Sequence, residues 1–148
     1  MPFRFTLQAI LRLKESQERQ QQILLEQANA RVQQCKLQIE ALERQRRTIE
    51  EETQRGLGNG MTAAEVQFSG LGRSTLAARR KRIEQELSCL QQAREECFQT
   101  YHRIHREREV LDTLRCSQLR SYQIEHNRRE QRRIDDLFLL RREHIRRG

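Results

Sequence analysis

Tyr101-His102-Arg103-Ile104-His105 sets two histidines three residues apart, a spacing that places both imidazoles on one face of a helix. Such a pair can contribute to a zinc site, but a stable one needs a third ligand at suitable spacing, and none accompanies it. The two histidines read as solvated helix-surface side chains. The four cysteines, Cys35, Cys89, Cys97 and Cys116, include no Cys-x-x-Cys pair. Cys89 and Cys97 lie about two helical turns apart and cannot bridge within one straight helix. All four read as small residues of a helical seam in a reduced protein. No catalytic constellation emerges, and no metal, cofactor or small-molecule substrate is expected. The protein is not an enzyme on this reading.

The remaining candidate is AARRKRIEQELSCL over residues 77–90, a basic cluster running into heptads as basic-zipper DNA-binding helices do. The asparagine expected in such a region is missing, and Gly70 and Gly72 interrupt the segment just upstream. The cluster reads instead as a solvated basic face or a contact for an acidic partner.

The elements that must carry these residues follow from composition. Of 148 residues, 35% are apolar and 34% charged, with no Trp, too little apolar matter for a thick core. Helix formers dominate, which points to long helices burying a narrow stripe. The net charge of +8 attracts nucleic acid, anionic membrane or acidic protein alike. MPFRFTLQAILRLKES lacks the apolar run of a signal peptide. No stretch reaches the ~20 apolar residues of a membrane span, so a cytoplasmic protein is expected.

Before residue 56 the apolar residues fall on a seven-residue grid. One row is Leu7, Lys14, Gln21, Ala28, Cys35, Leu42 and Ile49, and the other is Leu11, Glu18, Leu25, Val32, Ile39, Arg46 and Thr53. This alternating spacing is that of a coiled coil. Lys14, Glu18 and Gln21 break it, predicting a poorly packed or partner-facing stretch. The grid returns at Leu76, Ile83, Leu87, Leu90, Cys97, Tyr101, Ile104 and Leu111. Arg80, Arg94 and Arg108 also take seam positions, with their stems on the seam and guanidinium groups in water.

Between the two grids lie all the internal glycines. Gly56 suits the left-handed position past a helix end, and Gly58, Asn59 and Gly60 tolerate the reversal. Thr62 and Glu65 form a capping box for the next helix, while Gly70 and Gly72 predict a kink or second break. The expected fold is all-α, a long antiparallel two-helix coiled-coil hairpin in one domain. Its parts are arm one over about 4–55, a turn at 56–61, a short kinked helix at 62–73 and arm two over about 74–146. Folding back pairs the N-terminus with residues near 116–127, so the C-terminal helix overhangs. Residues 117–148 hold nine Arg against five acidic residues and an apolar patch, IDDLFLLRREHI.

The opening pattern Phe-x-Leu-x-x-Ile-Leu-x-Leu at 5–13, Cys35, Gly58-Asn59-Gly60-Met61 at the turn and Arg-x-Ile-Asp-Asp at 132–136 resemble the flagellar export protein FliJ family over nearly the whole chain. The resemblance implies a monomeric, non-enzymatic hairpin, similar to the long-helix pair of a rotary ATPase gamma subunit. It implies contacts with the hexameric flagellar export ATPase, with the cytoplasmic domain of the export gate membrane protein and with export chaperones. The protein would then work in the cytoplasm at the inner face of the membrane. For the ATPase the implied residues are Phe5, Leu7, Ile10 and Leu11 with Ile134, Asp135, Leu137, Phe138 and Arg141. For the gate they are Gln38, Leu42, Gln45, Ile49, Leu76, Arg79 and Ile83. The aromatics the family pattern places at 45, 49 and 72 are Gln45, Ile49 and Gly72 here. Two other readings stand beside this one: a basic coiled-coil nucleic-acid-binding protein and a generic coiled-coil scaffold.

Overall fold

The computed structural model describes residues 2–148. Two helices, α1 (Gln8–Gly58) and α2 (Ala63–Arg147), account for nearly all of them, and no strand occurs among the described residues. The helices pack as an all-α hairpin. Two compact units make it up: one holds Met1–Glu18 with Arg103–Gly148, the other Arg19–His102.

Seam burial follows the seven-residue grid. In the unit of residues 19–102, Val32, Cys35, Leu42 and Thr53 are buried, and every other seam position of α1 except Arg46 is half-buried. In the terminal unit Phe5, Leu11 and Ile104 form the core. A narrow stripe of this kind is what two mutually packed helices can remove from water, since each offers one face only. Thr53 takes its seam place because its hydroxyl donates to the Ile49 carbonyl at 2.7 Å, which satisfies the polar atom that burial would otherwise orphan.

The turn is tighter than the sequence suggests. α1 continues through Gly56 and Gly58, and only Gly60 takes a positive φ, of 86°. The Met61 amide donates to the Gly56 carbonyl at 2.9 Å, closing the helix in the six-to-one pattern of a Schellman motif. The Met61 side chain folds over Gly56, where an added Cβ would sit 2.8 Å from its sulfur. Gly60, not Gly56, is therefore the left-handed residue. The capping box forms as expected: the Glu65 amide donates to Thr62 Oγ1 and the Thr62 amide to Glu65 Oε2, each at 3.3 Å.

Three further expectations are corrected. α2 runs unbroken through Gly70 and Gly72, so no separate short helix ends at 73. Each glycine costs about 1 kcal/mol of helix propensity, too little to break a helix that goes on packing on both sides. α1 begins at Gln8, not near 4, after a turn in which the Gln8 amide donates to the Phe5 carbonyl at 3.1 Å. Cys35 is buried and Cys97 half-buried as seam residues, but Cys89 and Cys116 lie off the seam rows and are exposed. Burial pushes the Cys35 thiol above its usual range, which makes it a poor nucleophile.

Candidate docking surfaces

Beside the turn, in the unit of residues 19–102, α1 and α2 leave two adjoining clefts. The larger, about 750 Å³, has Ala41, Ile49, Phe68, Leu71, Gly72 and Leu76 in its lining. The smaller, about 360 Å³, is lined by Gln38, Leu42, Arg79 and Ile83, and both share Ala41 and Gln45. All seven residues that the family resemblance assigns to the gate thus line one or other of the two clefts. Leu42 is buried, so its main part is seam packing.

The sequence reading missed Phe68 and Leu71. They are 78% and 68% exposed, high values for apolar side chains beside an apolar cleft. Phe68 precedes Gly72 by one helical turn and so lies on the same face. At Gly72 the missing side chain leaves Ile49 Cδ1 only 3.7 Å from where a Cβ would stand. Phe68, Gly72 and Leu76 thus line one cleft, and their i, i+4, i+8 spacing was the available signal.

In the terminal unit the Phe3 ring lies 5.6 Å from that of Tyr122, which stacks on His126 at 6.0 Å. The N-terminal segment therefore reaches Tyr122, inside the expected pairing window of 116–127. Beyond it, every residue from 123 to 148 is exposed. This helix carries eight arginines, five acidic residues and the exposed side chains of Ile134, Leu137, Phe138, Leu139, Leu140 and Ile145. The two implied halves of the ATPase set are not brought together. Phe5 and Leu11 are buried in the seam and Leu7 is half-buried, leaving Ile10 the exposed apolar member. Ile134 lies 12 residues past Tyr122, or ~18 Å along the helix.

The polar break in the first grid is not partner-facing. Lys14 pairs with Glu107 at 2.6 Å, and Glu18 takes hydrogen bonds from His105 Nδ1 at 2.9 Å and from Arg108 Nε. Seam arginines are likewise paired across the helices, Arg80 with Glu43 and Arg108 with Glu18, while Arg94 is exposed. A guanidinium whose stem covers the seam sits within reach of the facing helix, and a carboxylate there replaces the water expected for it. His105 is not a solvated surface histidine. His102 is exposed and stacks on Phe98 at 5.9 Å. Among the described residues no group of three or more His, Cys, Asp or Glu could hold a metal ion.

A helical hairpin held by a heptad seam, with its turn capped and its C-terminal helix unpartnered, belongs among the two-helix coiled-coil proteins. Its sequence matches the family described as Flagellar FliJ protein over residues 3–148, and the chain belongs to that family. It is a component of the flagellar protein export apparatus. No curated relative matches the chain, and no solved structure does.

Proposed function

We propose that the protein is a stalk that links the flagellar export ATPase hexamer to the cytoplasmic domain of the export gate and assists export chaperones. The exposed helix of residues 123–148 is the observation that carries this reading. A helix does not keep seven large apolar side chains in water without use for them, and this one packs against no other element among the described residues. Its Ile134, Leu137 and Phe138 would enter a groove of the ATPase ring, with Asp135 and Arg141 at the rim. The paired clefts near the turn would receive the gate, with Phe68 and Leu71 added to the seven residues implied by the family. Coupling would then need no chemistry of its own.

The protein would act as a monomer in the cytoplasm, at the inner face of the membrane when assembled. No helix among the described residues is long and apolar enough to cross a membrane. The test is capture of partners from lysate of a flagellated bacterium with the purified chain as bait, at two salt concentrations, read by mass spectrometry. The expected eluate holds the export ATPase at both. Nucleic acid that leaves with salt, without the ATPase, would support the nucleic-acid reading.

A further inference from the structure

We propose that the polar layer built from Lys14, Glu18, His105, Glu107 and Arg108 is a pH-released clasp that holds the two segments of the terminal unit together. The heptad grid asks for apolar side chains at positions 14 and 18. The chain instead places a lysine and a glutamate there, and α2 answers each with an opposite charge. Such a layer gives up apolar burial and gains a unique pairing of the two segments, because any slip of register leaves part-buried charges unpaired.

His105 is the member that titrates near neutrality. Its Nδ1 faces Glu18 of α1 at 2.9 Å, and its Nε2 faces Glu109 of α2 at 3.1 Å. The Arg108 guanidinium, also on α2, lies beside it, with Nη2 3.5 Å from Nδ1. Only the imidazolium donates from both nitrogens at once, so only the charged form satisfies both carboxylates. On deprotonation a single N–H is left, so one of the two carboxylates loses its hydrogen bond from the ring and the layer is weakened.

The direction follows from these contacts. The Glu18 hydrogen bond, opposed by desolvation and helped by the charges of Glu109 and Glu18, raises His105 above its ordinary value. A raised histidine contributes stability that is complete below the ordinary value, ~6.5, and lost as pH rises through the folded one. Glu18 moves the other way. Burial pushes it up, but the hydrogen bonds of His105 and Arg108 outweigh burial and hold it below the usual carboxylate range. Its contribution is lost only in acid. The clasp is therefore tightest in mildly acidic solution and slackens as pH rises through the raised His105 value.

Amide hydrogen exchange over residues 8–18 and 103–122 tests this, measured from pH 6 to 8.5 and corrected for the intrinsic pH dependence of exchange. The expected result is a several-fold loss of protection with rising pH in the wild type, and a flat profile in His105→Gln. His102→Gln and His126→Gln, which alter histidines outside the layer, should keep the wild-type profile. Glu18→Gln should lower the pH at which His105 titrates by NMR, a reading that survives a change in stability. An unchanged slope in His105→Gln, or an unmoved His105 titration in Glu18→Gln, would overturn the proposal.

Discussion

Removing residues 128–148 is expected to abolish binding to the export ATPase while leaving the hairpin folded. Every residue in the deleted segment is exposed, so no seam contact goes with it. The cut also leaves His126 stacked on Tyr122, and Tyr122 against Phe3. Helicity should fall only by the residues removed. The loss in binding is expected to be large because Ile134, Leu137 and Phe138 leave together. Each is worth about 1.5–3 kcal/mol when fully buried in a partner. Three exceed about 4 kcal/mol, or about a thousandfold in Kd. The arginines add a part that weakens with salt, so residual binding should be sought at low ionic strength. Titration calorimetry with the purified ATPase reads the result. Equal affinity of the truncated chain would move the contact to the N-terminal segment, where Ile10 and Leu13 are exposed apolar side chains.

The second large effect is expected near the turn. Replacing both Phe68 and Leu71 with Ala should weaken binding of the gate's cytoplasmic domain by about 10–100-fold, the range of interface hot spots. It should leave the melting temperature unchanged or slightly raised. Both side chains are mostly in water, and Ala is the better helix former. This separation of binding from folding distinguishes them from Leu42. Leu42→Ala removes a buried seam residue and is expected to cost about 2–5 kcal/mol of stability, so any loss of binding there is confounded with unfolding. Unchanged gate affinity in the double variant would mean that the apolar cleft serves another occupant.

The hairpin was legible because a seven-residue apolar period recurs on both sides of a glycine-rich turn, which lets the two arms pair within one chain. The rows drawn from Leu7 and Leu11 are the rows the structure buries, and even the interruption at Arg46 is reproduced as an exposed residue. Thr62 and Glu65 were legible because a capping box is local chemistry. What escaped depends on the facing helix. Lys14 and Glu18 looked like a gap because their partners, Glu107, His105 and Arg108, are about ninety residues away in sequence. Gly70 and Gly72 looked like breakers because propensity is read residue by residue, whereas a long packed helix absorbs about 1 kcal/mol at each. Phe68 was passed over because the family pattern directs attention to 72, and only the folded face shows that one turn earlier serves the same cleft.

The central claim is that one chain holds the ATPase and the gate at once. Sedimentation velocity of the purified chain mixed with both the ATPase hexamer and the gate's cytoplasmic domain measures this directly. The account predicts a single faster-moving complex containing all three components, lost with the 128–148 deletion and weakened by the Phe68 and Leu71 double replacement. Binding of the two partners that is mutually exclusive would contradict it, since a stalk occupied at one site must leave the other free.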